Sequence, residues 1–323
     1  MLNEILENDL KKSLFIEYYY GRKIVPSYFL MENKCTLCEE HGVMPHIDEY
    51  IDVFLDYMRG FNFSEKPKTI TIKKNIFSNI KNCFFKNIFL SIDLCKTEKS
   101  NVHGYMNLSQ NTEIEDGKVF CITGKFHIYC TQDKLDSSLA TMLAHELTHV
   151  YENFKRVTSN APSLYDVVVN SNYSNNTDRY GSTEYDRQLI SHIVYYTTKF
   201  EVNAYAASIY GTLKAHAEEL IGAHDALDVI KYYSPVYQNF INLGKYIQRL
   251  NMRFLDEQDA KVIEDAWYSS MGEKKKCGYI VKKLASLYNK NWGKLKKVIS
   301  KMCYDVYEKY GPLYTIDDNN LIG

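Results

Sequence analysis

Two histidines four residues apart with a glutamate between them, His145-Glu146-Leu147-Thr148-His149, are the residues of this chain whose types and spacing can do chemistry together. On an α-helix, residues four apart lie about 40° from each other around the axis, so both imidazoles project from one face and can reach a single ion. Glu146 follows about 100° round, next to the ion position. Imidazole is a common ligand of zinc, and a carboxylate beside a zinc site can act as a general base toward water.

Three specified residues out of five make a loose pattern, so the rest of the helix has to support it. With His145 set at zero, the apolar residues Leu143, Leu147, Val150, Tyr151 and Phe154 fall between about 140° and 240°. They form a core-facing back, while the front bears the histidines together with Ser138, Met142 and Glu152. Histidines placed for packing would belong on the back.

Two imidazoles do not complete a catalytic zinc site, which takes three protein ligands and leaves a position to water. Glu201, in Lys199-Phe-Glu-Val-Asn-Ala-Tyr-Ala-Ala-Ser-Ile-Tyr210, is the leading third donor. Its helix is apolar on nearly every side, and a buried lone carboxylate is costly unless a cation compensates it. Glu184, Asp186 and His192 are rivals. His192 and Glu201, nine residues apart, lie about 180° apart on a continuous helix and cannot both face one ion.

His145-Glu146-x-x-His149 followed by a downstream helical Glu201 resembles the zincin metallopeptidases of the gluzincin type. The likeness covers roughly residues 118 to 210. It implies His145, His149 and Glu201 as Zn2+ ligands, Glu146 as general base, and a peptide or protein substrate cleaved by a zinc-activated water. Tyr205 stands where thermolysin-like members carry an aspartate, and 51 residues separate His149 from Glu201. Glu152 and Lys155 occupy the positions of the glycine and third histidine of the metzincin extension, which excludes that branch. A chain that keeps a zincin fold for binding or structure alone is the alternative. Tyr205, Tyr210 and His216 are all conceivable oxyanion donors, and spacing does not choose among them.

The elements that must position these residues follow from pattern. Residues 1 to 65 read as an N-terminal helical subdomain, with periodicity over Leu2 to Tyr19 and Ile47 to Tyr57. From Thr69 the runs TITIKKNIF, NIFLSIDLC, HGYMNLS and KVFCITGKFHIYC predict four or five strands of a small antiparallel sheet, with a turn at Asp116-Gly117. Thr131 or Asp133 is expected to cap the motif helix, running from about Lys134 to Lys155. If the strand Phe126 to Cys130 is a sheet edge, an extended peptide could add to it. Residues 157 to 182 read as a loop, Glu184 to His216 as a helix, and the remainder as three or four more helices. The fold class is therefore α+β: a zincin-like core over residues 66 to 216, with helical subdomains at both ends, the C-terminal one spanning 217 to 323.

Composition sets limits on partners. A chain of 323 residues with 45% hydrophobic and 24% charged residues can bury a catalytic site. Its net charge of -1 gives no overall field toward nucleic acid or an anionic membrane. Glu4, Glu7 and Asp9 interrupt any signal-like apolar run, and no stretch resembles a membrane span, so a cytoplasmic protein with reduced cysteines is expected. Cys35, Cys38 and His41, with His46 beyond, are read either as a second, structural zinc site or as ordinary loop residues. Lys274 to Lys276 and the lysines of 294 to 301 are read as solvated helix faces.

Overall fold

A computed structural model describes residues 44–81, 83–107, 113–161, 199–216, 223–249, 257–271 and 273–310. The predicted helix over Leu2 to Tyr19, the Cys35, Cys38 and His41 group, most of the 157 to 182 loop, and Glu184, Asp186 and His192 lie outside them.

The α+β class is observed. Helix α1 (Ile47–Arg59) precedes five strands, β1 (Lys68–Ile72), β2 (Phe85–Lys96), β3 (Asn101–Met106), β4 (Ile114–Glu115) and β5 (Lys118–Cys130). A 3-10 turn (Gln132–Lys134) leads into the motif helix α2 (Leu135–Thr158), followed by α3 (Lys199–Ala215), α4 (Ala223–Tyr233), α5 (Pro235–Arg249), α6 (Glu257–Met271) and α7 (Cys277–Tyr310).

The sheet is mixed, not antiparallel as predicted. Its order is β1-β2-β5-β3, with β4 paired to β5 off that path. β2 and β5 run parallel, from Phe85 opposite Val119 to Lys96 opposite Cys130, whereas β1 with β2 and β3 with β5 are antiparallel. The prediction assumed that strands adjacent in sequence also pair. Residues 97–100 instead carry the chain past one end of β5, where Thr97 N–H bonds the Cys130 carbonyl at 2.9 Å. Four residues can span the roughly 10 Å of two strand spacings, so β5 slots between β2 and β3. The condition under which Phe126 to Cys130 could take an added peptide is therefore not met, because that segment has a partner on both sides. The expected Asp116-Gly117 turn is present, with φ of 51° and 72° at its two central residues, the left-handed pair that a two-residue hairpin requires.

The inner face of the sheet carries Ile70, Ile72, Ile88, Leu90, Ile92, Leu94, Ile122, Phe126 and Ile128, all buried against α1 and α2. Burial of each such side chain contributes about 1.5–3 kcal/mol. The outer face carries charged groups beside the exposed rings of Phe89 and Tyr105. There Asp93 accepts a hydrogen bond from Thr69 Oγ1 at 2.7 Å and faces Lys125 Nζ and His127 Nδ1, each at 3.1 Å.

Helix α2 lies between the sheet layer and α3, which explains why nearly every residue from Ser137 to Val150 is buried. Close approach on both sides depends on glycine. A Cβ on Gly104 of β3 would stand 2.9 Å from Met142 Sδ, and one on Gly211 of α3 would stand 2.7 Å from the Ala140 carbonyl oxygen. The start of α2 differs from expectation: Lys134, not Asp133, occupies its N-cap, and neither Lys134 nor Thr131 makes a side-chain cap bond. The preceding 3-10 turn leads the chain into the helix instead, and Ser137 Oγ donates to the Lys134 carbonyl at 3.0 Å.

Among the described residues, no helix is long and apolar enough to cross a membrane.

Candidate metal centre

The front of α2 does not face solvent. It faces α3, whose surface toward α2 presents Glu201, Ser208, Gly211 and Thr212 at one-turn and two-turn spacing. Glu201 lies in the first turn of α3 and is 2% exposed. Its Oε2 stands 3.5 Å from His145 Nε2 and its Oε1 stands 3.5 Å from His149 Nε2. The two Nε2 atoms are 3.2 Å apart. With one donor atom from each of the three residues, all lie within 4.8 Å of one another.

These distances can be tested against an ion. Tetrahedral zinc with donors at about 2.0–2.1 Å holds neighbouring donor atoms about 3.3–3.4 Å apart. The 3.2 Å between the two nitrogens is close to that value, and each nitrogen lies 3.5 Å from one Glu201 oxygen. Because those are different oxygens, a set with a single carboxylate oxygen spreads to 4.8 Å and would have to draw in around an ion. The donor chemistry also fits, two imidazoles and one carboxylate being an established catalytic zinc set. Glu201 Oε2 is a buried oxygen that receives no hydrogen bond, and such an oxygen is costly without compensating positive charge.

Electrostatics points the same way. Burial alone would raise the Glu201 carboxyl, but the positive charge of His149 and its contacts to both histidines hold it well below the usual carboxylate range. Burial would likewise lower His149, yet the Glu201 charge and hydrogen bond, helped by Glu146 and Glu152, push it up to about 9. A proton on His149 therefore neutralises the buried carboxylate, and a metal cation at the same place would perform the same task in competition with that proton.

Glu146 is 8% exposed and does not turn toward Glu201. Its Oε2 accepts the Met106 backbone N–H at 3.0 Å. Burial pushes its carboxyl up, against the opposing pull of His145, His149 and that N–H, which moves it toward the range where a general base is effective. The Met106 contact also locates a sheet edge. Asn107 N–H bonds the Thr123 carbonyl at 2.8 Å, so the neighbouring pair Met106 and Gly124 is a non-hydrogen-bonded one, whose backbone groups point away from β5. Among the described residues β3 is thus the edge strand at this end, and Glu146 sits on it.

Several supporting residues escaped the sequence reading. Ser208 Oγ lies 3.1 Å from His145 Nδ1. Asn203 Nδ2 donates to Glu152 Oε1 at 2.7 Å, tying the two helices together one turn beyond His149. The signal for Ser208 was available, since it is seven residues after Glu201 and so on the same face of α3, whereas Asn203, two residues on, lies about 200° round and shared no such spacing. Of the three conceivable oxyanion donors, Tyr205 lies beside the site, with its ring 5.4 Å from that of His145. Tyr210 and His216 are nine and fifteen residues beyond Glu201, about 13 and 22 Å along the axis, and His216 stacks on Tyr233 with ring centroids 3.9 Å apart. His46 stands just before α1 with φ of 59°, and its Nδ1 lies 2.9 Å from Glu49 Oε1.

The chain matched no protein-family model, no curated protein and no solved structure. Any functional reading therefore rests on the site itself.

Proposed function

We propose that this chain is a zincin-like zinc metallopeptidase in which His145, His149 and Glu201 hold Zn2+ and Glu146 is the general base. The observation that carries the reading is the convergence of two Nε2 atoms and one buried carboxylate from separate helices, with a second buried carboxylate beside them on the free edge of β3.

When bound, zinc would supply Lewis-acid polarisation of a scissile carbonyl and would acidify a water molecule. The rest is the work of this chain's own groups. His145 and His149 would donate through Nε2, and Glu201 would bring the negative charge that offsets the ion. The Glu146 carboxylate, held by the Met106 N–H on Oε2, would take a proton from the attacking water and deliver it to the leaving nitrogen. The raised carboxyl of Glu146 suits that shuttle, because a more basic carboxylate accepts the proton more readily. A substrate in extended form would add to β3 through the outward backbone groups of Val102 and Gly104 and the Met106 carbonyl, next to Glu146. That geometry favours a peptide over a compact small molecule.

The test is substitution of the base. Glu146→Gln should retain about one zinc per chain and lose peptide-library cleavage by on the order of 10²–10⁴-fold. Undiminished cleavage would remove Glu146 from the mechanism. Glu201→Ala should weaken zinc binding, and wild-type affinity in that variant would remove it from the ligand set. Zinc bound at one per chain with no cleavage of any peptide would favour the non-catalytic alternative.

A further inference from the structure

We propose that Ser208 is the positioning residue that makes His145 a metal ligand, an inference that rests on the metal reading above. A neutral imidazole that donates to a metal through Nε2 must carry its proton on Nδ1. The atom facing His145 Nδ1 is Ser208 Oγ, at 3.1 Å. The same hydroxyl donates its one proton to the Ala204 carbonyl at 3.0 Å. With that proton committed, the oxygen has only lone pairs to offer His145, so it accepts from Nδ1–H and leaves Nε2 free to donate.

The hydroxyl is itself held in place. The Ser208 carbonyl accepts from Thr141 Oγ1 at 3.3 Å and from Thr212 Oγ1 at 3.2 Å, and these two hydroxyls lie 2.9 Å apart. Ser208, Thr141 and Thr212 are each under 5% exposed, so water cannot replace these bonds. Gly211 lets α3 approach the Ala140 backbone closely enough for the ladder to form. The chain of contacts runs from the α2 backbone through Thr141 to Ser208 and returns to α2 at His145.

The partner of the ligand histidine is thus a neutral hydroxyl, not a carboxylate. A carboxylate would also pull on the Nδ1 proton and make the imidazole a stronger donor. A serine hydroxyl orients the ring without placing a charge beside it. The Tyr205 ring packs against the His145 ring as well.

The experiment uses the full chain, stripped of metal and titrated with Co2+ alone. Its d–d absorption reports both affinity and ligand geometry, and chelator competition extends the measurement to Zn2+. Four proteins are compared: wild type, Ser208→Ala, Ser208→Cys and Thr212→Val. Ser208→Cys keeps the side-chain volume but offers only a weak acceptor, and it decides the matter if the alanine variant does not fold. Thr212→Val removes a hydroxyl of the same ladder that does not touch His145. The expected result is binding weakened by about 10–100-fold in both Ser208 variants, with shifted Co2+ bands, and a clearly smaller change in Thr212→Val, where Thr141 still bonds the Ser208 carbonyl. Equal affinity and spectrum in the Ser208 variants would overturn the proposal while leaving the metal reading intact. An equal change in Thr212→Val would overturn it too, since general helix register would then be the cause. Failure of the wild type to bind either metal would overturn the metal reading, and this proposal with it.

Discussion

The seam between α2 and α3 and the seam between α5 and α7 are both buried helix contacts made from opposite materials. The first consists of Ala140, Thr141, Ser208, Gly211 and Thr212 around His145, His149 and Glu201. The second is aromatic: Phe240 and Trp292 stack with centroids 5.9 Å apart, Tyr288 and Trp292 at 6.5 Å, and Tyr288 Oη donates to the Phe240 carbonyl at 3.1 Å. Tyr205 joins the two, packing on His145 from one side and on Phe240 from the other. Small hydroxyl residues let backbones approach closely and set rotation by directional bonds, at the expense of apolar area. Aromatic rings bury area that stabilises the fold but carry little directional information. Buried ionisable groups stabilise little or nothing on their own. The molecule therefore separates the two duties, with α5 and α7 offsetting what the site costs in stability.

If that separation is correct, the largest effect on stability should come from the aromatic seam. Trp292→Ala is expected to cost about 3–5 kcal/mol in denaturant unfolding, while the fraction that remains folded keeps wild-type zinc affinity. A matching loss of zinc affinity would show that the duties are not separate.

The next effect is pH-dependent and belongs to the site. His149 is raised from 6.5 to about 9. In metal-free protein its contribution is fully present below pH 6.5 and disappears as pH rises through about 9. Its size is on the order of 3 kcal/mol at most. Glu201 is lowered, so its contribution is present above the ordinary carboxylate range and disappears as pH falls below it. Thermal unfolding of metal-free protein should accordingly weaken between pH 6.5 and 9. Saturating zinc should abolish that decline, because the ion takes over the task of the proton. A decline that persists unchanged with zinc would mean that the ion binds elsewhere.

Gly211→Val tests close approach. Its Cβ meets the Ala140 carbonyl oxygen at 2.7 Å, so the helices must separate, at about 1–3 kcal/mol. Zinc affinity should drop as well, because Glu201 rides on α3. Measuring both in one variant shows whether register and ligation are coupled, and unchanged affinity would argue that they are not.

The smallest expected effect is that of Thr141→Val, which removes the bonds to the Ser208 carbonyl and the Thr212 hydroxyl. A loss of about 1 kcal/mol in urea unfolding is expected. A value near zero would mean that the remaining Thr212 bond suffices to hold Ser208.

Much of the site was legible without coordinates, and for definite reasons. His145, Glu146 and His149 sit on one short stretch of helix, where spacing alone dictates angle. Glu201 was recoverable because a carboxylate on an apolar helix has to find positive charge, and it stands 3.5 Å from both histidines. The strand segments and the Asp116-Gly117 turn were likewise local features. Sheet order was not, since the parallel pairing of β2 with β5 depends on which strand fits between two others. The edge strand was misplaced for that reason, and with it the surface where a peptide would add.

What the sequence alone determined is therefore the set of groups that can act: two imidazoles and a glutamate at helical spacing, and a second glutamate on a helix too apolar to hold it uncompensated. Local geometry and the cost of burying charge require no knowledge of the rest of the chain. Only the tertiary structure decided what faces them: Ser208 behind His145, the Met106 N–H on Glu146, and β3 as the edge strand among the described residues. Those partners are 63 and 40 residues away along the chain. Contacts at such separation are set by how whole elements pack, which no local pattern encodes.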